Sequence, residues 1–200
     1  MLRTKEGDRI GDPESDGRRR RSADSRRRII EAMLELVREG DISPSADAVA
    51  ARAGVGRRTV FRLFSDMEGV YREMHAVMRE KVAPVRDAPL VGETASAKVH
   101  ALVDRRARFF EEVLPLMVAA GVHRPRSTVL QNDHALIQRE LRNILSELLD
   151  EQILSNREMV ESLDMLLSID VWRRLRLEQR LTVAQATSIL HMLVTALLPA

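Results

Sequence analysis

The chain has 200 residues, 44% of them hydrophobic, so it is long enough and apolar enough to bury a core. It contains no cysteine, which excludes a disulfide framework and a thiolate metal site. No apolar run approaches the ~20 residues of a membrane span, and the charged N-terminus lacks the apolar segment of a secretory signal. We therefore expect a cytoplasmic protein with no membrane partner.

The net charge of +2 is unevenly distributed. Residues 17–64 contain 12 arginines and 6 acidic residues, whereas the remainder of the chain is net acidic. A basic N-terminal third favours a nucleic acid as partner, although an arginine-rich stretch is also compatible with an ordinary solvated surface.

Residues 1–21 are charged and lack periodic apolar positions, which predicts a disordered basic tail. Its last residues, Arg18 to Arg21, could follow a DNA backbone or enter a minor groove. Beyond the tail, apolar residues recur at helical spacing and predict a helix over 22–39. Ser22 is the expected N-cap, and Gly40 is the expected stop.

Two short helices follow, one over 46–53 with Ser45 as its N-cap and one over 56–64. Ser65 and Glu68 then fit a capping box that predicts a fourth helix, ending at about residue 82.

The rest of the chain shows helical periodicity without any strand pattern, so the predicted fold class is all-α. Proline is expected to interrupt the helices at Pro84, Pro89 and Pro115. Thr182 and Gln185 fit another capping box, which precedes the final helix. The predicted helices span residues 93–112, 114–121, 127–152, 156–179 and 183–197.

The last two of these helices carry apolar residues around much of their circumference, so each must be buried on more than one face. One face can pack on the chain's own core and leave the other for a second copy, which predicts a four-helix dimer interface. A position at the centre of a larger monomer core is the alternative. The predicted interface residues are Leu163, Leu167, Val171, Trp172, Leu175, Ile189, Leu193 and Leu197.

The two short helices are joined by Gly54, Val55 and Gly56, and a longer helix precedes them. Three helices with a tight glycine-containing turn between the second and third predict a helix-turn-helix, whose second member reads the DNA major groove. Arg57, Arg58 and Thr59 would then be the first residues to reach base edges.

The segment from about residue 22 to residue 71 resembles the DNA-binding domain of the tetracycline-repressor (TetR) family of bacterial transcription regulators. The resemblance is carried by the family's turn and recognition-helix pattern, which this sequence shows as Ala53-Gly54-Val55, Thr59-Val60-Phe61 and Phe64. Three positions depart from the family pattern: Gly56 replaces a capping serine, Phe61 replaces the commoner tyrosine, and Met67 replaces a lysine.

The resemblance implies an N-terminal DNA-binding domain over 22–66 and a ligand-sensing and dimerisation domain over 67–200. It further implies a homodimeric repressor that binds a pseudo-palindromic double-stranded DNA operator and is released by a small-molecule inducer. The implied DNA contacts are Ser45, Arg57, Arg58, Thr59, Phe61 and Arg62.

The resemblance also implies a ligand pocket within the middle helices. With 3% aromatic residues, such a pocket would be mostly aliphatic and would favour an apolar ligand. For each methionine and phenylalanine among the candidates, an ordinary core position is the commoner role. The candidate lining residues are Met74, Met78, Phe109, Phe110, Met117, His123 and His134.

An enzyme is not expected, and neither is a cofactor or a metal. The five histidines show no His-Glu-x-x-His pattern, and the sequence has no thiol nucleophile and no phosphate-binding Gly-x-x-x-x-Gly-Lys loop. The alternatives that stay open are a helical protein-interaction module and a non-specific DNA binder.

Overall fold

The computed structural model describes residues 13–198, and their side chains from residue 17 onward. Within this range every regular element is helical and no strand occurs, which confirms the predicted all-α fold. None of these helices is both long enough and apolar enough to cross a bilayer. The α-helices are α1 (Pro13–Arg38), α2 (Ala46–Ala53), α3 (Arg57–Leu63), α4 (Met67–Arg86), α5 (Ala95–His123), α6 (Thr128–Ser146), α7 (Glu151–Ser155), α8 (Arg157–Leu166), α9 (Ile169–Arg173) and α10 (Val183–Leu197).

Helices α1, α2 and α3 pack together into a unit that we call the head, and α1 also packs against α4 and α5. The head is held by fully buried side chains from each helix: Ile29 and Met33 of α1, Val49 of α2 and Val60 of α3. Because α2 and α3 are each only about two turns long, this burial against α1 supplies the stability that isolated short helices lack.

The predicted cap of α2 is confirmed, since Ser45 Oγ accepts the backbone N–H of Ala48 at 3.1 Å. The turn that follows α2 depends on Gly54, whose φ of +63° lies in the left-handed region. The Gly54 N–H points back to the carbonyls of Ala50 and Ala51 and closes the helix. Glycine suits this position because it has no Cβ to oppose the left-handed backbone.

The first helix starts earlier than predicted. Residues 1–12 of the predicted tail lie outside the described residues, but residues 13–21 form the first turns of α1, and Ser22 lies inside the helix rather than at its N-cap. Proline is well suited to the first helical position, and arginine has high helix propensity, so Pro13 and Arg18 to Arg21 favour this extension.

The start of α4 also differs from the prediction. Its N-cap is Asp66, whose Oδ1 accepts the N–H of Gly69 at 2.8 Å, so the expected capping box at Ser65 is wrong. A carboxylate at this position also interacts more favourably with the positive end of the helix dipole than an uncharged serine hydroxyl does. Helix α4 then continues through Pro84 to Arg86.

Helix α5 continues through Pro115, so the predicted break at this residue is wrong. A proline inside a helix costs about 3 kcal/mol through its lost hydrogen bond and ring clash. The residues around it are buried on the core side of α5, including Val113, Leu114 and Leu116. Their packing outweighs the local cost, because burying each such side chain contributes about 1.5 to 3 kcal/mol.

The two long C-terminal helices of the prediction are each divided. The span 127–152 separates into α6 and the short α7, which Asp150 caps, and the span 156–179 separates into α8, α9 and a π-helical turn over 174–178. Ser168 causes one of these breaks by capping α9 through the N–H of Val171. The predicted capping box of Thr182 and Gln185 at the start of α10 is confirmed.

Helices α4 to α10 form a body in which α5 packs against α4, α6, α9 and α10. The largest fully buried side chain is Trp172 of α9, whose ring lies 6.5 Å from that of Phe110 on α5. Arg106 of α5 is only 3% exposed and donates to the carbonyls of Leu167 and Leu141, which ties α5 to α6 and to the turn before α9. Burial lowers the pKa of Arg106 to about 10.

Candidate nucleic-acid interface and internal cavity

The N-terminal half of α3 projects from the head with most of its polar side chains in solvent. Arg58 and Arg62 are exposed, and within the described part of the chain neither forms an ion pair. Phe61 is 42% exposed, as expected, because Val60 and Phe64 supply the inward face of this region. Thr59 is half-buried at the edge of the same surface.

Arg57 differs from the other two arginines of α3. Its guanidinium donates to Asp47 of α2 at 3.0 Å and lies 5.6 Å from the centre of the Phe61 ring. The pair is exposed on both sides, so it contributes little to stability. The charge of Arg57 is thus partly neutralised by Asp47, whereas Arg58 and Arg62 have no ion pair among the described residues.

Ser45 lies at the start of α2 and is exposed. Its hydroxyl already caps the helix, so the contribution it can offer to an anion is the positive end of the helix dipole rather than a free side-chain donor.

Several other arginines of the head are used internally. Arg26 forms a bidentate pair with Glu73 of α4 and donates to the Leu63 carbonyl at 2.9 Å. Arg52 pairs with Glu39 at 2.7 Å, which joins α2 to the end of α1. The sequence count of 12 arginines therefore overstates the free positive charge of the head.

A cavity of about 390 Å³ lies between α4, α5 and α6 in the body. Four of the seven predicted lining residues surround it, namely Met78, Phe109, Phe110 and Met117. The other apolar lining residues are Ala76, Val82, Val113, Leu116, Ile137, Leu141, Ile144 and Ile169. The volume falls within the range of small-molecule sites, and the lining is mainly apolar, as such sites are.

The other three predicted lining residues lie elsewhere. Met74 is fully buried in the core and does not reach the cavity. His123 packs against the Tyr71 ring, at 4.9 Å between ring centres. His134 lines a separate, more polar pocket of about 330 Å³ between α5, α6 and α9, where its Nδ1 contacts Arg124 at 2.8 Å.

The rim of the cavity carries polar side chains that sequence reasoning missed. His75 Nδ1 lies 3.8 Å from an Asp133 oxygen, and Arg79 lies 3.5 Å from Glu140, so both pairs join α4 to α6 beside the cavity. Burial lowers the pKa of His75, and the nearby Asp133 carboxylate opposes that shift. A spacing of four residues places His75 and Arg79 on one face of α4, but nothing in the sequence shows which face of α6 they meet.

The predicted dimer residues divide into two groups. Leu163, Leu167, Trp172 and Leu175 are buried within the protomer itself, so the prediction that they face a partner is wrong. They complete the chain's own core instead. Leu193 is 38% exposed, and Val171, Ile189 and Leu197 are partly exposed. The sequence pattern also missed Met165 and Met192, which are 65% and 62% exposed on α8 and α10.

Among the described residues there is no cluster of three or more histidine, aspartate or glutamate side chains that could hold a metal ion.

The sequence matches no protein-family model and no curated protein sequence. The fold is similar to the crystal structure of a protein from Streptomyces coelicolor A3(2), which is provisionally described as a transcriptional regulator. The two share 19% sequence identity with a TM-score of 0.60, and the match covers 88% of this chain and 99% of the other. The all-helical fold of this chain is thus also present in that protein.

Proposed function

We propose that the chain is a TetR-like transcription regulator that binds a pseudo-palindromic DNA operator as a homodimer and is released by a small molecule. The observation that carries the proposal is the outward face of α3, where Arg58 and Arg62 are exposed without ion pairs among the described residues and flank the exposed Phe61. A protein-interaction module that used only the apolar C-terminal helices would not require these charges.

In the proposed complex, the N-terminal end of α3 enters the major groove of B-DNA. Arg58 is the leading candidate for a base contact, because a guanidinium can bond guanine O6 and N7 together. Arg57 adds a second base contact once it exchanges Asp47 for DNA. Thr59, Phe61 and Arg62 contact the groove wall, and the start of α2 at Ser45 faces a phosphate.

The homodimer brings two heads to the two halves of the operator, about 34 Å apart or at a multiple of one DNA turn. Helices α8 and α10 pack on each other and expose large apolar side chains, including Met165, Met192 and Leu193. Burying them against a second copy would remove this surface from water. The partly exposed Ile189 and Leu197 extend the same helix surface.

Release by a ligand is supported by the position of the cavity. Helix α4 forms one wall of the cavity, follows directly on the head and is tied to α1 by Arg26 and Glu73. A ligand that binds better when α4 has moved would shift the dimer away from the DNA-binding arrangement. The mainly apolar lining favours an apolar inducer. The protein is proposed to act as a repressor, because a dimer bound to the operator would block transcription.

The test is selection of binding sites from a random duplex library, followed by titration of the winning site and of unrelated DNA at two salt concentrations. We expect a palindromic consensus that binds at least ~10³-fold more tightly than unrelated DNA. Leu193→Asp, on the exposed face of α10, should yield monomers in sedimentation and weaken binding to the full palindrome.

Two results would contradict the proposal. Binding that falls steeply with salt but shows no consensus would indicate a non-specific DNA binder. Absence of DNA binding, with the protein folded, would favour the protein-interaction module.

A further inference from the structure

One residue that lines the cavity has a buried polar atom without a hydrogen-bond partner. Four buried side-chain polar atoms among the described residues have no hydrogen-bond partner: Tyr71 Oη, His75 Nε2, Arg106 Nε and His123 Nε2. Of these four residues, His75 is the one that lines the main cavity. A buried polar atom without a partner has lost its hydrogen bond to water, and a ligand group could replace that hydrogen bond.

The charges around the cavity do not select an ion. The rim carries three arginines and three acidic residues, of which Arg79 pairs with Glu140. Arg86, at the far end of α4, forms a bidentate contact with its neighbour Asp87. A ligand with a net charge would therefore meet as much repulsion as attraction, and would lose its hydration among the apolar side chains.

The surroundings of His75 define which kind of group it can bind. Burial lowers the pKa of His75, so the imidazole is neutral at neutral pH. The Asp133 carboxylate beside Nδ1 favours the tautomer that carries the proton on Nδ1. In that tautomer Nε2 holds a lone pair, which accepts a hydrogen bond and repels a carboxylate.

We propose that the cavity takes an uncharged, mostly apolar alcohol or phenol, and that its hydroxyl group donates a hydrogen bond to His75 Nε2. The apolar part of the ligand lies against Phe109, Phe110 and Met117. Nε2 is itself buried, so this hydrogen bond requires the imidazole to turn toward the cavity. This inference rests on the proposed function, since it treats the cavity as the ligand-sensing site.

The test measures binding of small probes to the whole protein without DNA. Octan-1-ol and its isomer 1-methoxyheptane have the same atoms, but the ether cannot donate a hydrogen bond. Trp172 is the sole tryptophan of the chain and lies beside Phe110 of the cavity wall, so its fluorescence can follow binding. Calorimetry provides a second measurement of the same affinities.

We expect the alcohol to bind about tenfold more tightly than the ether, the ratio that one satisfied hydrogen bond gives. His75→Phe keeps an aromatic ring without nitrogen and should bring the ratio close to one. His75→Leu serves the same purpose if the phenylalanine variant does not fold. His134→Phe is the matched control, because His134 lines the separate pocket, and its ratio should equal that of the unmodified protein.

Three results would overturn the inference: equal binding of alcohol and ether, a preference that survives both His75 variants, or tighter binding of octanoate or octylammonium than of octan-1-ol. If none of these probes binds, the ligand-sensing part of the proposed function fails as well. DNA binding is measured separately by the site selection above, so its failure would leave the cavity result intact.

Discussion

The arginines of α3 and those of α5 use the same side chain in opposite ways. Arg58 and Arg62 of α3 are exposed and have no ion pair among the described residues. Arg105 and Arg106 of α5 are 8% and 3% exposed, and both donate to backbone carbonyls. The guanidinium is thus left in solvent in one region and serves as a structural tie in the other.

The difference shows that the burial of an arginine decides whether it contributes to folding stability or stays accessible to a ligand. Burial of a guanidinium is costly, so an inward arginine is retained only where carbonyls compensate for the lost water. An exposed arginine without a partner adds little to folding and keeps its donors for a ligand. Substitutions in the two regions should therefore affect different measurements.

The largest effect is expected in the body, from Arg106→Ala. This change leaves the Leu167 and Leu141 carbonyls without their donor and removes a buried side chain, which should destabilise the fold by about 3 kcal/mol. Chemical denaturation measures the loss. Arg108→Ala, at an exposed neighbouring position of α5, is the control and should change stability by less than about 0.5 kcal/mol.

The matching change in the head is Arg58→Ala. It should leave the denaturation midpoint unchanged while weakening binding to the selected operator by about 1 to 3 kcal/mol and relaxing preference at one base pair. Arg139→Ala, exposed on α6, should alter neither property. A loss that is equal on every DNA sequence would reassign Arg58 to a phosphate contact.

The presentation of α3 depends on the turn before it, which Gly54→Ala tests. The nearest atom to an added Cβ would be Arg28 Nη1 at 3.8 Å, so the cost comes from the left-handed backbone rather than from a clash. We expect a loss of about 1 kcal/mol in unfolding free energy. An unchanged stability would show that the turn tolerates another backbone conformation.

The smallest effect is expected from Gly56→Ser at the start of α3. Gly56 has an extended backbone and provides no side-chain cap, and nothing lies within 4 Å of an added Cβ. A serine can cap the helix and should raise the free energy of unfolding by about 0.3 kcal/mol. Gly56→Ala cannot cap, so a gain from alanine as large as that from serine would rule out capping as the cause.

Local signals in the sequence were sufficient for part of the fold. Ser45, Gly54 and Thr182 act within their own turns, through a cap, a left-handed backbone and a capping box, so their roles could be predicted without a tertiary structure. Whether a helix continues through Pro115 could not be predicted in the same way. Its local cost is clear from the sequence, but the packing around Leu114 and Leu116 that outweighs it comes from other helices.

The same limit explains the errors in the predicted sites. Both predicted C-terminal helices carry apolar residues around most of their circumference. The sequence alone therefore cannot distinguish Trp172, which fills the core, from Met192, which faces solvent. The cavity rim depends on contacts of α4 with α6 that lie 58 or more positions apart in the chain, such as His75 with Asp133. Periodicity identifies the faces of each helix, but the pairing of faces is a property of the fold.

The early start of α1 changes what its basic run can do. In a flexible arm, Arg18 to Arg21 could all turn toward one phosphate backbone. On a helix, successive side chains are rotated by about 100°, so these four point in directions that span most of the circumference. A DNA duplex beside α1 would face only about two of these arginines. Binding of this segment should therefore release about two counterions from the DNA rather than about four.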